Sequence, residues 1–367
     1  MTSKIATIFR IGSFRGLRTG SKYSQAPAIV FLTRKTENTD PARVEWPARP
    51  EGRLAHLPVH WVRSLVTHPS GGYVIATVHN PCTDSVILDH WHPLVPVADV
   101  SLGEVRTTTL LGVQVSYTSD GAERVRVWRS RDTTEQPLPT RVDYLYLWVS
   151  LGSPPDSIFE IPEFSEPDRR NVHAGTIGVH VSAPRAVENF LDMGHFPYVH
   201  TDVLGAEPHT EVAEYDVHID PETNEIWATD CVFYQPRAAT TSTEGQMSDY
   251  LYRVPHPFCV ILYKTSPLHD ERMDVIGLFC RSVGPDHIEA HMFLSLLDPD
   301  NSEPIIRKFQ QSIFGQDKPI LENQYPKLLP LDPRAETPIR ADKVAIAYRR
   351  WLSDLGVTYG VIPERAA

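Results

Sequence analysis

The sequence predicts an α+β fold, in which a small antiparallel β domain precedes a larger domain whose antiparallel sheet is flanked by helices. Between residues 105 and 151, apolar and polar residues alternate in three segments that Gly, Ser, Asp and Pro separate, as in short antiparallel strands. Six more strand candidates follow one another between residues 212 and 297. Amphipathic helical patterns precede and follow this second group, so the larger domain combines one sheet with bordering helices.

The strands can be placed in chain order. Those of the small domain are predicted at 87–95, 105–117, 122–130 and 141–151, and the stretch 154–170, rich in Pro, Asp and Glu, is the predicted linker. The larger domain then begins with a strand at 175–182 and a helix that Pro184 can start, because proline is tolerated in a first turn. Its other strands are predicted at 212–219, 225–234, 250–254, 258–264, 273–283 and 288–297.

Two helices are predicted near the C-terminus. The first begins near Glu303, and its apolar face carries Ile305, Phe309, Ile313 and Phe314. The second spans 340–355 and is expected to be scaffold, because its apolar stripe is regular and a glycine follows it. The stripe consists of Ala341, Ala345, Tyr348, Trp351 and Leu352, and the glycine is Gly356.

Composition excludes several classes of protein. The chain has 367 residues, of which 41% are apolar and 22% charged, as in ordinary soluble proteins. No run of eighteen apolar residues occurs, which argues against a membrane span. The net charge of −11 argues against binding nucleic acid without regard to sequence, since that requires a positive surface. A protein partner remains possible.

Residues 1–85 differ in charge from the rest. They carry eleven Lys and Arg against five Asp and Glu, a net charge of +6, which leaves −17 for the remaining residues. Prolines interrupt their apolar runs, so little is left from which to build a packed core. We predict a largely disordered extension, or a start codon assigned too far upstream. A partner-binding arm is the alternative.

Two histidines with suitable chemistry for iron lie in the segment 187–200. A non-haem ferrous centre that activates O2 uses two imidazoles and one carboxylate on one face of the metal. His195 and His200 are five residues apart, about 140° around an ideal helix. Pro197 lies between them and should end or kink the helix that carries His195, so that His200 reaches the same ion. By spacing alone, a structural histidine pair is the commoner explanation.

Together with its neighbours, this pair resembles the Asn-x2-Asp-x2-His-x4-His motif in the catalytic domain of Rieske-type non-haem iron oxygenases. The matching residues are Asn189, Asp192, His195 and His200. The resemblance implies that a distant aspartate on a late helix completes the Fe(II) site, with O2 as co-substrate. The segment 314–322 is similar to that element and offers Asp317 as the third ligand. The alternative for Asp317 is a solvated helix carboxylate.

The cysteines decide whether the chain holds the second cofactor of this family. A Rieske [2Fe-2S] cluster needs two cysteines and two histidines, which the family supplies as Cys-x-His and Cys-x2-His. No cysteine here has a histidine two or three residues later, so we predict no cluster in this chain and buried thiols in a reducing cytoplasm. The four are Cys82, Cys231, Cys259 and Cys280.

The family resemblance also implies a domain layout. Residues 86–153 correspond to a degenerate Rieske domain, whose His90 and His92 are then packing or surface residues. Residues 154–362 correspond to the catalytic domain, with the helix-grip, START-like sheet of the family. In the family's trimers the motif aspartate bridges the iron and a neighbouring subunit's cluster through histidines. Asp192 matches it, which implies a Rieske-containing oxygenase subunit or an NADH-dependent reductase as partner, in a trimer or hetero-hexamer.

A narrower resemblance concerns the substrate. Five segments resemble the methylxanthine N-demethylases of bacterial caffeine catabolism that lack a cluster: 164–170, 188–193, 200–208, 309–317 and 347–352. This implies oxidation of the N-methyl group of a 7-methylxanthine-like purine, with release of formaldehyde. Asp192 then orients His195 and relays the electron, and Asn189 contributes an amide beside the ligands.

Substrate contacts are predicted on the late helix. Gln310 is seven residues before Asp317, nearly on the same face, and is proposed to hydrogen-bond the xanthine edge; an exposed helix residue is the alternative. Ile313 and Phe314 are proposed as apolar pocket wall, since ligand pockets are mostly apolar. Two other functions stay open. The chain could be a non-catalytic scaffold subunit, or an oxygenase that hydroxylates or demethylates another aromatic substrate.

Overall fold

The computed structural model describes residues 62–67, 73–78, 80–121, 125–132, 134 and 136–364, all within one compact unit, Pro58–Ala367. Most of the extension predicted for residues 1–85 lies outside the described residues. Two strands in its last part, β1 (Val62–Thr67) and β2 (Tyr73–Val78), pair antiparallel. No helix in the described ranges is long and apolar enough to cross a membrane.

The small β domain contains one short helix and two three-stranded antiparallel sheets, in the orders β3-β8-β7 and β4-β5-β6. Its elements are α1 (Ser85–Leu88), β3 (His92–Pro96), β4 (Arg106–Leu110), β5 (Val113–Ser119), β6 (Val125–Arg129), β7 (Thr140–Asp143) and β8 (Tyr146–Val149). The turn between β4 and β5 is hydrogen-bonded to the larger domain, where Leu111 N donates to Ser282 O at 2.7 Å. One apolar core continues through both parts.

Three predictions for this domain were wrong in their limits. The single strand expected at 141–151 is the hairpin of β7 and β8, whose turn has positive φ angles at Tyr144 and Leu145. The strand expected at 87–95 begins only at His92, because Asp84 accepts hydrogen bonds from the amides of Val86 and Ile87 and so starts a helix instead. The single strand expected at 105–117 is a hairpin. Its turn has positive φ angles at Leu111 and Gly112, which break the extended backbone.

The larger domain is built on a seven-stranded antiparallel sheet, which confirms the predicted fold class. The strands are β9 (Arg170–Val179), β10 (Asp216–Ile219), β11 (Ile226–Gln235), β12 (Gln246–His256), β13 (Cys259–Ser266), β14 (His269–Gly284) and β15 (His287–Leu296). Their order is β10-β11-β12-β13-β14-β15-β9. The first strand therefore pairs with the last, and the others follow the chain.

Four helices accompany this sheet: α2 (Ala183–Leu191), α3 (Phe196–Val199), α4 (Glu303–Asn323) and α5 (Lys343–Asp354). Helix α4 lies along β9, to which Gln311 Nε2 and Lys318 Nζ donate hydrogen bonds at Ala174 O and Gly178 O. The short strands β16 (Leu329–Pro330) and β17 (Val361–Ile362) pair in parallel. Turns of 3-10 helix occur at Val97–Asp99, Pro162–Ser165, Pro333–Ala335 and Arg340–Asp342.

The buried face of α4 differs slightly from the predicted stripe. Ile305 is half exposed and Ile306 is buried in its place, together with Phe314, Asp317 and Leu321. The apolar residues of α5 are buried as predicted from Ala345 to Leu352, although the helix begins at 343 rather than 340. The chain turns at Gly356, whose φ is +78°.

Asp84 ties α1 to the C-terminal segment, and its replacement should destabilise the fold. One carboxylate oxygen starts α1, and the other accepts hydrogen bonds from the Thr358 and Tyr359 amides at 2.6 and 3.0 Å. Loss of a cap and of buried charged hydrogen bonds predicts that Asp84→Ala lowers the free energy of unfolding by about 3 kcal/mol. Urea unfolding measures this.

The control is Asp220→Ala. Asp220 accepts similar amide hydrogen bonds from Glu222 and Thr223, but in an exposed turn. We expect a much smaller loss there. Equal losses in the two variants would contradict the role given to Asp84.

Candidate metal centre

The backbone break that brings the two histidines together lies before His195 rather than after it. Helix α2 ends at Leu191, and Asp192 accepts a hydrogen bond from Gly194 N at 2.7 Å, which closes a turn. His195 then caps the N-terminus of α3, and Pro197 lies in the first turn of that helix. The prediction that Pro197 ends the helix carrying His195 was therefore wrong: proline here starts a new helix, where its missing N–H has no cost.

Three ligand-type atoms meet at one point. His195 Nε2 lies 3.1 Å from His200 Nε2, and Asp317 Oδ1 lies 3.4 and 3.1 Å from these two nitrogens. His200 and Asp317 are buried, with 1% and 8% of their surface exposed. Residues from the α2–α3 region and from α4 thus form one cluster, as the sequence motif predicted.

The opposite nitrogen of each imidazole is held by an oxygen atom. His195 Nδ1 lies 3.0 Å from Asp192 Oδ2, and His200 Nδ1 lies 2.8 Å from Gln316 Oε1. A carboxylate and an amide oxygen can only accept, so each Nδ1 carries the hydrogen. In their neutral forms, both rings therefore present an Nε2 lone pair to the centre of the cluster.

These contacts fit a bound divalent cation. Asp317 Oδ1 accepts no well-aligned hydrogen bond from the described residues, although two ring nitrogens lie within 3.4 Å of it. Three acceptors that face one another need a positive charge between them. Two imidazoles and one carboxylate are the ligand set of non-haem Fe(II), so the residues present fit that metal.

The pKa values of the cluster agree with this interpretation. Burial opposes charge on His195, yet hydrogen bonds to Asp192 and Asp317 outweigh burial and raise the pKa of His195 to about 9. Burial likewise opposes charge on Asp317, and the two histidines nevertheless lower its pKa. Both shifts have the same physical cause, the attraction between a protonated imidazole and the Asp317 carboxylate, and a metal cation among the three atoms would replace that proton.

A second group of possible ligands behaves differently. Asp286 Oδ2 lies 3.3 Å from His180 Nε2, and Asp286 Oδ1 lies 2.9 Å from His287 Nδ1. The carboxylate is thus paired with both rings, which stack with their centroids 4.2 Å apart. Oδ1 of Asp317 accepts no well-aligned hydrogen bond from the described residues, whereas each carboxylate oxygen of Asp286 is paired with a histidine ring.

A cavity adjoins the triad and contains all the predicted substrate residues. Gln310, Ile313 and Phe314 line it, as does Asn189. Gln310 is half-buried, so it is not the exposed helix residue of the alternative interpretation. The remaining walls are mostly apolar and aromatic, formed by Phe190, Phe196, Leu204, Tyr250, Tyr252, Leu262, Ile276 and Phe309.

Sequence reasoning missed three polar residues of this site: Gln316, Gln235 and Lys264. Gln316 is 116 residues from the histidine that it contacts, so no local pattern could indicate the pair. Gln235 is the last residue of β11, and no sequence pattern around it indicates a site residue. Lys264 could have been found, because it is the first charged residue after five apolar ones in β13.

A groove open to solvent also borders His195. Asp192 and His195 line it together with Asn189. The Asp192 side chain is 32% exposed, so it connects the buried histidine with the surface. Glu188 and Glu336 also line it, but Arg185 and Arg349 pair with both carboxylates. Asp192 and Asp342 therefore leave the groove mildly acidic.

Gln316 should determine metal affinity through His200. Gln316→Leu removes the acceptor that orients the ring, and loss of such partners costs about 10- to 100-fold in affinity. Anaerobic titration with Fe(II) measures the effect. Gln316→Glu retains an acceptor oxygen and should recover most of the affinity.

Gln114→Leu is the matched control, because Gln114 is an exposed residue of β5 in the small domain. It should bind Fe(II) as the wild type does. Unchanged affinity in Gln316→Leu would show that the amide does not orient His200.

Comparison with known proteins identifies the family. Residues 179–357 match the family model of the vanillate O-demethylase oxygenase C-terminal domain. The chain is 47% identical over 278 residues to the probable methylxanthine N7-demethylase NdmC of Pseudomonas sp. (strain TJI-51), which covers 76% of this chain and 97% of that protein. It is 30% identical over 225 residues to the methylxanthine N1-demethylase NdmA of Pseudomonas putida, 58% of each chain.

Solved structures share the fold. Pseudomonas putida CBB5 NdmA with caffeine matches with a TM-score of 0.62 and 20% identity, over 73% of this chain and 90% of that one. Dicamba monooxygenase bound to 3,6-dichlorosalicylic acid matches with a TM-score of 0.58 and 13% identity, over 73% and 97%. The chain therefore belongs to the Rieske-type non-haem iron oxygenases and is an oxygenase whose relatives include the methylxanthine N-demethylases.

Proposed function

We propose that this chain uses mononuclear Fe(II) and O2 to hydroxylate the N-methyl group of a 7-methylxanthine-like purine, with electrons from a partner Rieske protein. The observation that carries the proposal is the convergence of His195 Nε2, His200 Nε2 and Asp317 Oδ1 beside an aromatic cavity. The similarity to a probable methylxanthine N7-demethylase supports the substrate class.

The reaction balances as a monooxygenation. One atom of O2 enters the C–H bond of the methyl group to give N–CH2OH, and the other leaves as water after taking two electrons and two protons. The hydroxymethyl product then loses formaldehyde, and the ring nitrogen regains its proton. Iron held by the triad would supply the O2 activation that this requires.

The protein residues position the reactants. Asp192 and Gln316 hold the two imidazoles with their Nε2 atoms towards the metal position. Ile313 and Phe314 form an apolar wall that excludes water, and Gln310 offers an amide to the purine edge. A site built to hydrogen-bond its substrate rejects analogues without the matching group, since a buried polar group is then left unpaired.

Electrons must come from another protein if the chain has no cluster of its own. All four cysteines are buried, and none has a histidine at the Rieske spacing. The exposed side of Asp192 at the floor of the acidic groove is a suitable contact for a partner's cluster-bearing loop. We propose that a Rieske-containing subunit docks there, in a trimer or hetero-hexamer, and that an NADH-dependent reductase supplies it.

Iron content tests the proposed centre. After anaerobic reconstitution with Fe(II), the wild type should hold about one iron per chain and show no iron–sulfur absorption bands. Asp317→Ala should lose the iron, while Glu303→Ala should keep it, because that exposed carboxylate of the same helix pairs with Arg307. With a reductase partner, the wild type should release formaldehyde from 7-methylxanthine.

The other possible results of the iron and formaldehyde measurements favour a different function. Absence of specific iron in the wild type would contradict the enzyme proposal and favour the scaffold alternative. A ring-hydroxylated product without formaldehyde would favour an oxygenase for another aromatic substrate.

Asp192→Asn tests the electron route separately. The amide can still contact His195, so the iron should remain bound. Turnover with the reductase should fall, because the carboxylate proposed to relay the electron to His195 is gone. Hydrogen peroxide supplies the oxygen and both electrons together, so product formation with peroxide should be unaffected.

The control Asp342→Asn changes a carboxylate that lines the same groove without contacting His195. It should leave both activities unchanged. An equal loss with peroxide and with reductase in Asp192→Asn would place its defect at the metal and not in electron transfer.

A further inference from the structure

A buried lysine lines the substrate cavity. Lys264 lies on β13 and is only 4% exposed, whereas lysine is almost never fully buried without an ionic partner. Among the described residues it forms no ion pair; its closest polar contacts are neutral oxygens. Asp274 lies opposite Lys264 on β14 and is 5% exposed; its carboxylate offsets part of the charge without an ion-pair contact.

One donor of this ammonium group is free. Lys264 Nζ donates to Ala238 O and to Gln235 Oε1, the latter at 3.5 Å. An ammonium group has three donors and no acceptor, so one N–H has no partner in the described part of the chain. Since the residue lines the cavity that adjoins His195, His200 and Asp317, this N–H is available to a bound molecule.

The lysine remains mainly charged at neutral pH. Burial lowers the pKa of Lys264 to about 8, against the opposing effect of the Asp274 carboxylate. A methionine of similar length would fill the same space without the cost of burying a charge. Packing alone thus does not account for the residue.

Other polar groups in the cavity indicate a ligand with polar edges. The hydroxyl of Tyr252, itself 1% exposed, has no hydrogen-bond partner among the described residues. Gln310 lines the same cavity and also a smaller one that shares Lys264. The ammonium group of Lys264 can only donate, so it needs a hydrogen-bond acceptor on the ligand. A ligand amino group at the same position would place two donors against each other.

We propose that Lys264 is the specificity-determining residue, which donates its free N–H to a ring carbonyl oxygen of the bound oxopurine. This inference rests on the proposed function, and it adds the identity of the residue that selects the oxopurine ring. A carbonyl bonded to Lys264 fixes the rotation of the purine in the cavity and hence which N-methyl group faces the triad. Aminopurines, which place a donor at that position, are disfavoured.

Equilibrium binding tests this without turnover. Fe(II)-loaded protein is titrated anaerobically by calorimetry with 7-methylxanthine, 7-methylhypoxanthine, which lacks one carbonyl, and 7-methyladenine, which carries an amino group. Lys264→Met should weaken 7-methylxanthine binding about 10- to 100-fold, the value of a hydrogen bond to a charged group. It should also reduce the preference of the wild type for 7-methylxanthine over 7-methyladenine.

Two controls separate recognition from folding. Lys308→Met removes an exposed lysine of α4 and should bind all three ligands as the wild type does. Lys264→Gln retains an N–H donor of shorter reach and should recover part of the affinity. Iron content and thermal unfolding of each variant verify that the site is intact.

The results distinguish this inference from the proposed function. Unchanged affinity and unchanged ligand order in a folded Lys264→Met protein would overturn the role of Lys264, even if the wild type releases formaldehyde. Lysine-dependent binding of 7-methylxanthine without formaldehyde release would support the role of Lys264 and contradict the proposed reaction.

Discussion

The mutual repulsion of three acceptor atoms is the constraint around which the larger domain is organised. Two imidazole nitrogens and one buried carboxylate oxygen lie within 3.4 Å of one another, an arrangement that is unfavourable without a cation. Asp192 and Gln316 enforce it by holding the hydrogens of both rings on the far side. The turn after α2 positions the imidazole rings of His195 and His200, and packing of α4 on β9 positions the Asp317 carboxylate.

Two cavities with different linings share His195. The substrate cavity is aromatic, with a few buried polar groups that can orient a flat heterocycle. The groove is open and mildly acidic, as suits a protein partner. His195 lines both. Its ring belongs to the cluster, and the Asp192 carboxylate, which is hydrogen-bonded to that ring, is partly exposed to solvent.

Local sequence patterns predicted most of the strands and the two C-terminal helices, and the family resemblance indicated the residues that meet at the triad. They could not predict which strands are neighbours, because the pairing of β9 with β15 joins segments more than a hundred residues apart. They misplaced the break beside His195, since Pro197 is compatible with ending one helix or starting the next. Gln316 and Lys264 gain their significance only from contacts across the fold.

The position of β9 in the sheet also sets the order of events during synthesis. Val179 pairs with Ile288, and α4, which packs on the same strand, begins only at residue 303. The segment that carries both histidines is therefore synthesised well before β15, the strand with which β9 pairs. Such long-range pairing is slow to form. His195 and His200 can therefore meet Asp317 only after the chain has been made beyond residue 317.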